Sequence, residues 1–107
     1  MKRVAAAVVI TAISSHANAA FVSGNDLLEF CDQFRASSTG YVLGAVDTIL
    51  VSQDNGNVRK TVCLRGGATG GQLTDIVCQY LRKNPAVRDF GGPALVSMAL
   101  SQAFPCQ

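Results

Sequence analysis

Thr69-Gly70-Gly71-Gln72-Leu73-Thr74-Asp75-Ile76-Val77-Cys78-Gln79-Tyr80-Leu81-Arg82-Lys83 carries the clearest periodicity in the chain. Leu73, Ile76, Val77, Tyr80 and Leu81 recur at helical spacing, so one face is apolar and the other polar. Thr69 and Gln72 stand at the start in capping-box register, where each side chain can bond the other's backbone N–H. Arg82 and Lys83 occupy the last turn, where cations favour the negative end of the helix dipole. The stretch predicts an amphipathic helix over about 70–83, and Leu73, Ile76, Val77 and Leu81 as core.

Working outward from it, Asn84-Pro85 reads as an N-cap followed by Pro at the first helical position, opening a short helical turn through about Asp89. Gly91-Gly92-Pro93 restarts the chain. Leu95, Val96, Ala99, Leu100 and Ala103 form the last helical stripe, ended by Phe104-Pro105-Cys106; Leu95, Val96 and Leu100 join the expected core. On the other side, Gly66-Gly67 and Gly70-Gly71 bend the chain twice. They are not a phosphate-binding loop, because no convincing strand precedes them and there is no βαβ length to hold one. Residues 58–64 alternate only weakly and predict an extended connector packed in part by Val62 and Leu64. Asp54-Asn55-Gly56-Asn57 is a turn signal.

A second helix is expected from about Gly40 to Ser52, with Val42, Val46, Ile49 and Leu50 on one stripe. Glycine inside a helix costs about 1 kcal/mol, so Gly40 and Gly44 predict a close helix–helix contact. The first helix opens at Ser23-Gly24-Asn25-Asp26, an approximate capping box. Leu27, Cys31 and Phe34 continue it, Leu28 and Phe30 widen the stripe, and Ser37-Ser38-Thr39-Gly40 is expected to break it. The sum is a small all-α domain of four to five helices with short connections.

The N-terminus adds a different signal. Lys2 and Arg3 precede a ten-residue apolar run, Val4 to Ile13, and Ala17-Asn18-Ala19 supplies a small-x-small cleavage pattern. Residues 1–19 read as a secretory signal peptide, and 20–107 as the mature domain. The run is about half the ~20 residues that span a bilayer, so no membrane association is expected after cleavage. The chain has 9 Lys+Arg and 7 Asp+Glu, and removing Lys2 and Arg3 leaves a formally neutral domain. No excess positive charge remains to displace counterions from phosphates, which argues against a nucleic-acid partner.

Cleavage also removes His16, the single histidine. Hydrolysis by Ser-His-Asp or Cys-His groups needs an imidazole, so catalysis is not expected. Asp26, Glu29 and Asp32 lie on one helical side and read as a solvated face rather than a carboxylate site. Cys31, Cys63, Cys78 and Cys106 are separated by 32, 15 and 28 residues. Without a CxxC pair, neither a metal site nor a dithiol redox motif is expected, and two disulfides are. Helices over 70–83 and 93–104 joined tightly should run antiparallel, which brings the residues before the first close to those after the second. That makes a Cys63–Cys106 bridge natural and leaves Cys31–Cys78, although two other pairings remain open. Such staples stabilise a domain of this size, whose core alone is marginal.

The ordered set of Gly24-Asn25-Asp26-Leu27-Leu28 with Cys31, Gly40-Tyr41-Val42-Leu43-Gly44, Val62-Cys63-Leu64, Gln72-Leu73 with Tyr80-Leu81, Asn84-Pro85, and Ala94-Leu95-Val96 through Ala103-Phe104-Pro105-Cys106 resembles the Rap/Tai family of type VI secretion amidase immunity proteins. The resemblance runs from about Gly24 to Cys106. It implies a periplasmic helical protein, without catalysis or cofactor, that binds a secreted cell-wall amidase toxin and covers its cleft, often as a homodimer. Two positions depart from the family's pattern. Thr39 stands where members commonly carry a Cys before the Gly-Tyr pair, and Arg65 where they commonly carry Pro after the Cys-Leu pair. The first departure makes Cys78 a replacement partner for Cys31.

The other reading is a periplasmic stress protein or chaperone of the acid-stress type, which would need a large apolar surface released at low pH. For toxin binding, the stretch from Asp54 to Arg65 is the candidate surface, because it is polar, turn-rich and anchored by Cys63. Arg59, Lys60 and Arg65 are its cations and the candidate partner-binding residues. Arginine in particular offers a planar fork suited to carboxylates and is frequent among interface hot spots.

Overall fold

The computed structural model describes residues 20–107; the expected signal segment, 1–19, lies outside the described residues. Four α-helices follow in order: α1 (Gly24–Gln33), α2 (Arg35–Asp54), α3 (Gly70–Lys83) and α4 (Gly92–Ala103), with a 3-10 turn at Pro85–Val87 between the last two. No strand occurs among the described residues, and the one isolated bridge pairs Ser23 with Gly91. The all-α class and the two disulfides are therefore as expected.

Helix α3 is central and packs against α1, α2 and α4. Its stripe explains why: Leu73, Val77, Cys78 and Leu81 are buried. Leu73, Val77 and Leu81 meet Leu27 of α1, Val42 and Val46 of α2, and Leu95, Val96, Ala99 and Leu100 of α4 in one core. Each fully buried leucine or valine contributes roughly 1.5–3 kcal/mol by leaving water. Ile76 is only half-buried, at the edge of the core rather than inside it. Both capping boxes form. The Thr69 hydroxyl accepts from Gln72 N at 3.1 Å and Gln72 Oε1 accepts from Thr69 N at 3.0 Å. The Ser23 hydroxyl accepts from Asp26 N at 3.1 Å, and Asp26 Oδ2 accepts from Ser23 N at 3.0 Å.

The start of α1 is stitched to the start of α4 by backbone. Gly24 N donates to Phe90 O at 2.9 Å, Asn25 N to Arg88 O at 2.9 Å, and Gly92 N to Val22 O at 2.7 Å. This approach leaves no room for a side chain. A Cβ on Gly24 would strike the Leu95 methyl and lie 2.8 Å from the Arg88 carbonyl oxygen. One on Gly92 would lie 2.9 Å from the Tyr41 ring.

Those two glycines make the close contacts that Gly40 and Gly44 were expected to make. Positions 40 and 44 face open space, with nothing within 4 Å of an added Cβ. The break between the first two helices also lies away from its expected place. It falls at Phe34, whose φ of −137° and ψ of 69° leave the helical region, and α2 then runs straight through Ser37–Gly40. Ser38 is buried, and its hydroxyl turns back to the Arg35 carbonyl at 2.8 Å, so a residue that favours turns is satisfied inside a helix. Phe34, expected on the core stripe, is 53% exposed because the break rotates it outward. The helical turn after Asn84 is also shorter than expected, ending at Val87.

Cys31–Cys78 joins α1 to α3, with Cα atoms 5.9 Å apart. An Asp32–Arg82 ion pair at 2.9 Å joins the same two helices. Cys63–Cys106 ties the chain before α3 to the chain after α4, with Cα atoms 5.1 Å apart, the proximity that an antiparallel α3–α4 pair predicts. Closing loops of this length stabilises by roughly 2–4 kcal/mol each through the unfolded chain.

Candidate partner-binding surface

The connector between α2 and α3, residues 55–69, contains no regular structure, so its path depends on what its backbone bonds to. It leaves α2 through a Schellman motif. Asn57 N donates to Ser52 O at 2.9 Å and Gly56 N to Gln53 O at 3.1 Å, with Gly56 at φ +76°, a conformation that favours glycine. Here the Asn55-Gly56 turn signal has a direct physical cause.

The next anchor is Gln53, buried at the end of α2. Its Oε1 accepts from Thr61 N at 2.9 Å and Val62 N at 3.0 Å, and its Nε2 donates to Val62 O at 2.9 Å. One amide side chain thus does for the connector what a neighbouring strand would do, and this lets the Val62 side chain enter the core. Cys63 N then donates to Phe104 O at 2.9 Å, beside the Cys63–Cys106 bridge. Beyond it, Ala68 N closes a turn on Arg65 O at 3.3 Å, with Gly67 at φ +92°. Thr69 then caps α3. Gln53 has no signature in the sequence: a polar residue at a helix end reads as solvated, and its partners lie eight and nine residues on.

These anchors display the three candidate cations unequally. All three are exposed. Arg59 and Lys60 lie between the Schellman turn and the Gln53 clasp, and Arg65 lies beyond the disulfide. Arg59 borders a groove with Ile49, Val58 and Ser97; Arg65 borders a different one with Ile76 and Phe104; Lys60 lines neither. The structure thus places them along one connector but not at one point. None of the three side chains makes a hydrogen bond or ion pair with a described residue. Three other cations are engaged, while Lys83 is exposed and has no partner among the described residues. Arg35 bonds Asp75 at 2.6 Å and Gly71 O at 3.3 Å, Arg82 bonds Asp32, and Arg88 donates to Leu81 O at 2.6 Å and Arg82 O at 3.0 Å, closing the end of α3.

The carboxylates on α1 are divided in role: Asp26 caps its helix, Asp32 pairs with Arg82, and Glu29 faces solvent. Among the described residues no group of three or more His, Cys, Asp or Glu could hold a metal ion. Burial raises the Tyr41 phenol above its ordinary value. No helix among the described residues is long and apolar enough to cross a membrane.

Fold and surface together define a class: a helical domain cross-linked by two disulfides that carries a non-helical, cation-bearing connector on fixed anchors. The family model of the Rap1a immunity proteins matches residues 23–106, from the Ser23 cap to the second disulfide, and the chain belongs to that family. No curated protein and no solved structure matches it. Membership makes a toxin the class of partner, and the disulfides fit an oxidising location outside the cytoplasm.

Proposed function

We propose that the mature domain, residues 20–107, is a periplasmic immunity protein that binds a peptidoglycan amidase delivered by type VI secretion and blocks access to its cleft. The observation that carries this reading is the family match, because it covers every helix and both disulfides rather than a fragment. The residue-level resemblance supplies the amidase. Cleavage after Ala19 would deliver the domain to the compartment where the toxin's substrate lies, and where disulfides persist. The domain acts by occupying a surface and not by turning anything over; it needs no cofactor. The Asp54–Arg65 stretch is the contact element, and a homodimer is the form in which it is presented.

The test uses the oxidised mature protein and the amidase encoded beside its gene. Hydrolysis of peptidoglycan should stop at near-equimolar protein, with a dissociation constant of about 1 μM or tighter, equivalent to about −8 kcal/mol. Sedimentation of the free protein and of the complex gives the stoichiometry. Absence of binding at micromolar concentration overturns the reading.

A further inference from the structure

The connector borders two grooves, and each sets one of its arginines beside apolar side chains. The first, about 510 Å³, has Ala68, Ile76 and Phe104 as apolar lining, with Arg65 and Asp75 as its charged residues. Asp75 is already neutralised by Arg35 at 2.6 Å, while Arg65 has no partner among the described residues. The second, about 370 Å³, has Ile49 and Val58 as apolar lining among five uncharged polar residues, with Arg59 as its charged residue and no carboxylate. Arg59 also lacks a partner among the described residues, and Val58 is 52% exposed. In a formally neutral domain, the connector thus places one unspent guanidinium beside an apolar floor, twice. The Gln53 clasp, at the border of the second groove, and the Cys63–Cys106 bridge pin the connector between Arg59 and Arg65.

We propose that these grooves are paired docking sites for carboxylate-bearing, partly apolar segments of the toxin, with Arg59 and Arg65 as the two anchors. The inference rests on the immunity reading and adds the chemistry of the partner's face. A guanidinium can bind a carboxylate through two parallel hydrogen bonds, which fixes direction as well as charge. The apolar floor beside it desolvates the pair, and this is the setting in which an interface arginine becomes a hot spot. Because the grooves flank a fixed segment, the two contacts set the register of the toxin. Lys60, which lines neither groove, has no place in this recognition.

The experiment measures binding of the neighbouring amidase to the oxidised full mature domain at low and high salt. The variants are Arg59→Ala, Arg65→Ala, Lys60→Ala, the double change R59E/R65E, and Lys83→Glu, a cation on the groove between α3 and α4. None of these side chains supports the fold through an internal hydrogen bond or ion pair, and circular dichroism with thiol counting verifies that each variant is native. Each arginine-to-alanine change should weaken binding ~10-fold, and R59E/R65E by ~100-fold or more, with a shallower salt dependence. Lys60→Ala and Lys83→Glu should stay within about 2-fold of wild type, as rim charges do. If wild type binds and R59E/R65E binds equally well, the docking inference is wrong and the immunity reading stands. An equal loss in Lys83→Glu reduces the effect to general charge and also overturns it. If wild type itself does not bind, the immunity reading falls.

Discussion

Helix α3 buries Leu73, Thr74, Val77, Cys78 and Leu81 in 14 residues, whereas the connector that leads into it buries only Val62 in residues 55–69. The helix satisfies its backbone internally and is held by apolar area. The connector satisfies little of its backbone internally and is held at points: the Schellman turn, the Gln53 amide, the bond from Cys63 to Phe104, and the second disulfide. Area is distributed, so damage to it spreads through the domain. Point anchors are discrete, so damage to one should stay local. Of the four cations that have no internal partner among the described residues, Arg59, Lys60 and Arg65 lie on the connector and Lys83 ends α3. Residues 59, 60 and 65 are not needed to hold anything, while Arg35, Arg82 and Arg88 each brace a helix end.

The largest expected effect breaks the apolar side of the contrast. Leu100→Ala and Leu73→Ala should each lower stability by about 2–5 kcal/mol through lost burial and a residual cavity. Urea unfolding measures the loss, and hydrogen exchange should accelerate in α3 and α4 together. A change below ~0.5 kcal/mol at both sites would contradict the assigned core.

Next comes the clasp. Gln53→Ala strands Thr61 N, Val62 N and Val62 O, and should cost about 1–3 kcal/mol, since water can reach part of what is exposed. Faster exchange should appear at Thr61 and Val62 first, with α3 protected. Gln53→Glu keeps the acceptor for both N–H groups but sets a carboxylate oxygen against the Val62 carbonyl, so it should not restore stability. Acceleration spread evenly through all helices would show that the connector is not a separate unit.

Smaller still are the caps. Ser23→Ala and Thr69→Ala should each cost about 1 kcal/mol, the usual worth of a side-chain N-cap. Thr69→Ala should loosen the junction between the connector and α3, while Ser23→Ala should loosen the backbone stitch of α1 to α4. Equal exchange patterns in the two variants would deny that distinction.

The smallest effect lies at high pH. Burial raises the Tyr41 phenol above 10.0, so the folded state holds that proton more tightly than the unfolded chain. Its contribution is complete below pH 10.0 and is lost as pH rises through the folded value. Phenolate absorbance should show a tyrosine titrating late in the native protein, and Tyr41→Phe should remove that part of the alkaline loss of stability. A midpoint at the ordinary value would mean the ring is solvated.

What the sequence determined by itself is whatever depends on neighbours three or four residues apart. The α3 stripe, the Ser23 and Thr69 capping boxes, the Asn55-Gly56 turn and the irregular path of 58–64 are all local, and the structure has them. The cysteine count and an expected antiparallel pair of last helices make Cys63–Cys106 natural, but local pattern allows three pairings, and the packed fold selects Cys31–Cys78 with Cys63–Cys106. Tertiary structure decided the rest. The break at Phe34 instead of Ser37–Gly40 depends on burying Ser38 within the packed domain. Which glycines sit at close contacts depends on partners such as Leu95 for Gly24 and Tyr41 for Gly92, far away in the chain. The Gln53 clasp and the separation of Arg59 from Arg65 into two grooves exist only once α2, the connector and α4 are assembled. Hydrogen-bond satisfaction and side-chain volume are settled by what is near in space, and the local pattern of a chain records only what is near in sequence.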